Sequence, residues 1–291
     1  MRPFFERFSS LGDDLSPFCL GLDPSRATLE AAGLNDDVEG LQTFCEGMLK
    51  AVNGLTAMIK PQMAYFERKG PDGLKVLQRV GDMARERGLL LLLDGKRGDI
   101  GTTCEGYADA FFGPDSPYRA DAVTVSPYLG FGALEPILEA AADNGAGIFV
   151  VVLSSNPEGR VIQTARVEET GLTVAETLAG EINAFNEAKG TKVVGAVLGA
   201  TLGVEMAPIV RALDGGLVLT PGIGHQGASF DDLEDAFEGH RRSLVPTMSR
   251  SIVAAGFSEN VLRNSVANAA IQAARFRTKE DAADMRLERR A

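Results

Sequence analysis

Histidine is nearly missing from this chain. His225 and His240 are the only two, too few for a histidine-rich metal cluster. Cysteine is almost as sparse: Cys19, Cys45 and Cys104 are odd in number, far apart and without a CxxC pair. That excludes a disulfide framework or a zinc site and fits reduced thiols in a cytosolic protein. No apolar run reaches the length of a membrane span, and the N-terminus carries no signal-peptide core. Positive charge is in deficit, with a formal net charge of −11 and a pI near 4.8. Such a balance argues against nucleic acid or an anionic membrane surface as a partner. An anionic ligand must then be held by a few local cations and backbone amides.

What the chain does contain is enough apolar material for a large core, 45% of 291 residues. Its 33 glycines sit mostly beside apolar runs, the pattern of many strand-to-helix turns. The most informative stretch is five consecutive leucines, 89–93, followed at once by Asp94-Gly95-Lys96-Arg97-Gly98-Asp99-Ile100. Five leucines read as a strand buried on both faces. Dense charge at its end reads as a catalytic strand end, set against the plainer reading of a surface salt-bridge cluster. Period-two alternation puts Asp94 and Lys96 on one side and Arg97 on the other, where a structural or interfacial role is expected. Gly95 and Gly98 let the backbone turn and leave room for a ligand.

The same unit recurs along the chain. Apolar strands are expected at 17–22, 55–59, 89–93, 122–125, 147–153, 193–198, 217–220 and 244–248, nearly all separated by helical periodicity. A short helix over 3–11, spaced by Phe4, Phe5, Phe8 and Leu11, forms a lid on the body. The final helix is expected over 260–275, with a charged, frayed tail beyond it. No composition shift marks a linker. The expected fold is therefore α/β, one (β/α)8 TIM barrel over residues 1–291, with an open doubly wound sheet as runner-up. Against the runner-up, no GxGxxG follows the first strand and the charged strand ends are spread over the whole length.

A barrel gathers its strand ends at one face. Sorting them yields Asp23, Lys60, the Asp94/Lys96/Asp99 group, Ser155, the glycine-rich loop 221–227, and Ser249-Arg250. Asp23 is either a helix cap or an acceptor for a ligand hydroxyl, capping being the commoner role. Thr102 and Thr103 are candidate caps of the next helix. Loop 221–227 is not a Walker loop, since no GK[ST] follows, but glycine-rich loops after the seventh and eighth strands commonly bind phosphate. Arg250 would supply the fixed cation, so a phosphorylated small molecule is the favoured ligand. His225, in that mobile loop, is expected to be solvated and not catalytic.

Asp94-Gly-Lys96-Arg-Gly-Asp99-Ile100, with Lys60 at an earlier strand end, resembles the Asp-x-Lys-x-x-Asp-Ile signature of the orotidine 5′-phosphate decarboxylase family. The DGKRGD wording and the chain length are similar to its longer bacterial subgroup. The resemblance runs from Leu22-Asp23 to Ser249-Arg250, nearly the whole barrel. It implies cofactor-free decarboxylation of orotidine 5′-phosphate to uridine 5′-phosphate in a cytoplasmic homodimer. Lys60, Asp94, Lys96 and Asp99 match the family's charged tetrad, with Asp99 reaching into the partner's site. Ile100 and Thr103 match residues that accompany it, Asp23 a ribose contact and Ser155 a pyrimidine contact. Pro221, Gln226 and Arg250 match pyrimidine-side and phosphate-gripping elements. Two departures stand out: Gly101 replaces a frequent proline, and Ser249 a frequent glycine. The 154–172 connection has no counterpart in short members. Competing readings are a sugar-phosphate decarboxylase or aldolase of the same superfamily, which would need magnesium, and a non-catalytic nucleotide-binding module.

Overall fold

The structure, a computed structural model, describes residues 2–288, with side chains to 279. Eight strands form a closed parallel barrel in sequence order: β1 Cys19–Leu22, β2 Met58–Pro61, β3 Leu90–Arg97, β4 Ala122–Val125, β5 Gly147–Leu153, β6 Val194–Leu198, β7 Val218–Pro221 and β8 Leu244–Met248. The ring closes where Cys19 of β1 pairs with Thr247 of β8. α-Helices lie between successive strands of this (β/α)8 barrel except β7 and β8, which are joined through 3-10 turns at Asp231–Leu233 and Arg241–Ser243.

The leucine run shows how sequence parity becomes architecture. Leu89, Leu91 and Leu93 join the core between sheet and helices, while Leu90 and Leu92 join a second cluster inside the barrel. Side chains alternate across a strand, so the next inward position after Leu92 is Asp94. On β2 the inward series is Met58 then Lys60, and on β4 it is Ala122 then Thr124. Each of these three strands thus starts apolar at its N-terminal end and turns polar at its C-terminal end.

The N-terminal end of the barrel is stoppered by the helix Phe4–Asp14. Phe4, Phe5 and Phe8 are buried against Phe149, Met58, Leu90 and Ala122. Phe4 and Phe149 meet edge-to-face with centroids 6.0 Å apart. Gly147 makes this possible, because a Cβ there would collide with the Phe4 ring. Arg7 fixes the helix axially through an ion pair with Asp121 and a 3.2 Å bond to the Gly145 carbonyl. Asp121 in turn accepts the Leu91 N–H at 2.9 Å, tying the stopper to the leucine strand. The expected lid is therefore a floor.

Other expectations need adjusting. The last helix runs Glu259–Glu288, past the expected end at 275, so the charged segment as far as 288 continues the helix. The 154–172 connection is ordered by a 3-10 turn at Pro157–Gly159, a short helix Arg160–Gln163 and hydrogen bonds from Ser154 to Gln163. The helix after β3, Gly101–Phe111, begins with Ile100 as its N-cap residue, so Thr102 and Thr103 stand in the first turn and cap nothing. Gly101 takes φ +50, which a proline ring could not adopt.

The stopper yields the first prediction. Phe4→Ala should lower the unfolding free energy by about 3–5 kcal/mol in urea titrations, the usual cost of emptying a buried phenylalanine site. Activity assayed at the opposite face should change by less than about twofold, since Phe4 does not line the cavity there. Stability close to wild type would mean that the ring is not a core residue.

Candidate active site

At the C-terminal mouth the inward positions converge on one carboxylate. Asp94 accepts Lys60 Nζ on Oδ2 at 2.7 Å and Lys96 Nζ on Oδ1 at 2.6 Å. Gln62 Nε2 donates to Oδ2 at 3.3 Å and Thr124 Oγ1 to Oδ1 at 2.8 Å. Lys60 and Asp94 are buried, whereas the Lys96 side chain is 45% exposed and faces the cavity mouth. Burial opposes charge on Asp94, but the two ammonium groups outweigh it and hold the carboxyl well below the usual carboxylate range. Burial likewise opposes charge on Lys60, and the neighbouring Asp94 and Asp23 outweigh it, raising its pKa above the ordinary lysine value. Asp94 and Lys60 are therefore both ionised at neutral pH.

The backbone here is irregular. Leu93 pairs with Val123 and Arg97 with Val125, so Asp94, Gly95 and Lys96 stand opposite Thr124 alone. This bulge carries Lys96 at φ +46, one of three non-glycine residues at positive φ among the described residues. Gly95 and Gly98 serve the fold more than a ligand. A Cβ on Gly95 would stand 2.8 Å from Met63 Sδ, and one on Gly98 would strike the Ser126 carbonyl. Arg97 points away, paired with Glu67 and donating to the Gly95 carbonyl at 2.8 Å.

Above Asp94 opens a cavity of about 330 Å³ lined by Asp23, Lys60, Asp94, Lys96, Ser155, Pro221, Gln226 and Arg250, among others. A smaller recess of about 70 Å³ continues toward Gly222, His225, Ser249 and Arg250. Ser155 Oγ and Gln226 Oε1 meet across the opening at 3.4 Å. Arg250 has no ion-pair partner among the described residues, so its charge is available to a ligand. Asp23 does not cap a helix: the cap of Arg26–Ala31 is Ser25, which accepts the Thr28 N–H at 3.1 Å. Asp23 Oδ1 is instead buried with no partner, an acceptor turned to the cavity. Ser249 fits because β1 carries Gly21 opposite it, where a Cβ would lie 2.7 Å from the Ser249 Cβ.

A model of the orotidine 5′-phosphate decarboxylase / HUMPS family matches residues 16–264. The chain belongs to that family. It is 49% identical over 279 residues to the orotidine 5′-phosphate decarboxylase of Myxococcus xanthus, covering 95% of this chain and 96% of that one. The Streptomyces coelicolor orotidine 5′-phosphate decarboxylase is 42% identical, covering 94% and 97%. Among solved structures, a Streptomyces avermitilis protein provisionally named as the same decarboxylase superposes with a TM-score of 0.89, 41% identity and coverage of 96% and 97%. The Leishmania donovani OMP decarboxylase superposes with a TM-score of 0.79 at 25% identity, covering 94% and 99%.

Of the site residues expected from sequence, three do not reach the cavity of their own chain. Asp99 Oδ1 accepts the Ile100 N–H at 2.8 Å, Ile100 is 61% exposed, and Thr103 is exposed on the following helix. His225 is exposed, as expected. Gln62 and Thr124 were not singled out, yet both donate to Asp94. For Gln62 the signal was available as parity, since it is the next inward position after Lys60; Thr124, in the uncharged run Ala122–Val125, carried none.

The buried pair has a pH signature. A depressed Asp94 contributes stability that is complete above its unfolded pKa of ~3.9 and is lost as pH falls through the folded value. Asp94→Asn should cost about 3–5 kcal/mol near neutral pH by leaving Lys60 buried without its counter-charge. The gap from wild type should narrow progressively below about pH 4, as Asp94 takes up a proton in the unfolded wild-type chain while the folded one resists it. A gap constant down to about pH 2 would show that the carboxylate's charge is not what stabilises the pair.

Proposed function

We propose that this chain decarboxylates orotidine 5′-phosphate to uridine 5′-phosphate without a metal or organic cofactor. The observation that carries the reading is Asp94 held between Lys60 and Lys96 at the floor of a cavity whose far rim bears Arg250 and loop 221–227. Family membership supports it.

Breaking the bond from C6 to its carboxylate leaves an electron pair on C6, with no adjacent carbonyl or imine to delocalise it. A preorganised ammonium beside that carbon lowers the barrier electrostatically. Lys96 fills this role and then transfers a proton from Nζ to C6 as carbon dioxide departs. The neutral amine recovers its proton from water at the cavity mouth. Asp94 fixes the Lys96 ammonium and lies near the departing carboxylate; Lys60 balances its charge. Asp23 accepts a ribose hydroxyl, and Ser155, Pro221 and Gln226 contact the pyrimidine side. Gln226 also joins Arg250 and the loop amides on the phosphate, so binding energy remote from C6 closes the loop. Asp99, Ile100 and Thr103 complete the site of a second copy in a cytoplasmic homodimer. Their positions outside their own cavity support that assignment. The whole chain acts as one barrel domain.

The test is direct. The absorbance of the orotate ring should fall when orotidine 5′-phosphate is added, and EDTA should leave the rate unchanged. A chain that binds the nucleotide without spectral change would sink the proposal, and loss of activity in EDTA would favour a metal-dependent relative. Arg250→Ala should weaken the phosphorylated substrate by roughly 2–5 kcal/mol while barely affecting the nucleoside. Equal losses for both would make Arg250 structural.

The dimer has its own test. Lys96→Ala and Asp99→Ala homodimers should each be nearly inactive. Mixing equal amounts and reassembling should restore roughly a quarter of wild-type activity, because about half the dimers are mixed and each has one intact site. No recovery, with mixed dimers confirmed by mass, would place Asp99 in its own chain's site.

A further inference from the structure

We propose that Thr124 is a positioning residue for the decarboxylation chemistry, holding Asp94 and Lys96 in register with one hydroxyl. The inference rests on the functional reading above and extends it to a residue outside the charged tetrad. Thr124 Oγ1 donates to Asp94 Oδ1 at 2.8 Å and accepts the Lys96 backbone N–H at 3.0 Å. A hydroxyl has one proton and two lone pairs, so a single atom serves both partners.

Three observations set this threonine apart. The first is its place in the sheet: Thr124 is the β4 residue facing the bulge, opposite Asp94, Gly95 and Lys96 together. The regular ladder is interrupted there, and the Lys96 N–H finds its acceptor in the Thr124 side chain. The second is the backbone of Lys96 itself, at φ +46, a left-handed conformation that strains a non-glycine residue. Such a conformation persists only where its surroundings over-determine it, and the bond to Thr124 is a direct restraint. The third is contrast. Thr220, also buried at a strand end, turns its hydroxyl to the Val218 carbonyl of its own strand. Thr124 reaches across to β3.

The consequence concerns the Lys96 ammonium. Its useful property is a fixed location, and its side chain is nearly half exposed. Asp94 anchors Nζ from one end; Thr124 anchors the Lys96 backbone from the other and fixes the carboxylate oxygen that both share. Without the hydroxyl, Lys96 keeps its charge but gains freedom, a loss felt in the transition state and little in substrate binding.

Three variants separate the hydroxyl from the rest of the side chain. Thr124→Val keeps the shape, Thr124→Ala removes shape and hydroxyl, and Thr124→Ser keeps the hydroxyl alone. Val and Ala should lower kcat by roughly 10- to 100-fold, the scale for one buried positioning hydrogen bond, with KM within about threefold. Ser should return kcat to within about threefold of wild type, and since Ser and Ala differ only in the hydroxyl, that pair decides even if Val folds poorly. A loss carried by KM, unchanged kcat in Val and Ala, or a Ser variant as poor as Ala would overturn the proposal. Crystal structures of wild type and Thr124→Ala supply a readout independent of turnover. The Lys96 Nζ to Asp94 Oδ1 contact should lengthen beyond hydrogen-bond range or split into conformers, and an unchanged contact would overturn the role. If wild type proves inert toward orotidine 5′-phosphate, the functional reading fails while this comparison still judges Thr124.

Discussion

A carboxylate taken out of water and clamped by two ammonium groups is the constraint on which the rest of this structure depends. Desolvating such ions costs several kcal/mol apiece, and the interior repays it only with close geometry and satisfied hydrogen bonds. Asp94 meets both conditions, with two lysines, Gln62 and Thr124 around its two oxygens. Those four donors come from β2, the residue just beyond it, β3 and β4. The cluster therefore cannot form before three strands are correctly paired. Chemistry and folding share a requirement: the same electrostatic balance that keeps Lys60 buried presents Lys96 at the mouth.

The barrel could be read from the sequence because each apolar run is short, bounded, and followed by helical periodicity. Lys60, Asp94 and Lys96 were legible because a charge at the end of a buried strand has few plain explanations. Thr124 was not: in Ala-Val-Thr-Val a threonine is an ordinary β-former, and its importance exists only once β4 is laid against the bulge of β3. At Asp23 the sequence leaves cap and ligand acceptor both open, for a local reason. Ser25, two residues on, is an equally competent cap, and sequence offers no way to choose until Asp23 Oδ1 is found buried without a partner. Gly95 and Gly98 carried the right signal, close approach, but toward Met63 and Ser126.

Stability and reactivity are divided between the two ends of the barrel. The N-terminal end is a packed aromatic stopper, in which Phe4 lies on Gly147 and Arg7 locks onto Asp121. The C-terminal end is polar, hollow and lined by residues whose buried charges cost more than leucine would. The leucine strand joins the two, donating a hydrogen bond from the Leu91 N–H to Asp121 and ending in Asp94.

The bulge has a consequence for how such a site is inherited. A regular ladder continuing from Leu93 and Val123 would bring Gly95 opposite Val125; here Arg97 occupies that place. The excess is two residues, an even number. Inside and outside alternate with every residue, so an even excess leaves the parity of the chain on both sides undisturbed. Losing one residue from this segment would turn everything after it inside out relative to β4. Gain or loss of a pair would leave the barrel's wiring intact while adding or erasing the charged step. The charged segment is in this sense a detachable paragraph, whose length must be counted in twos.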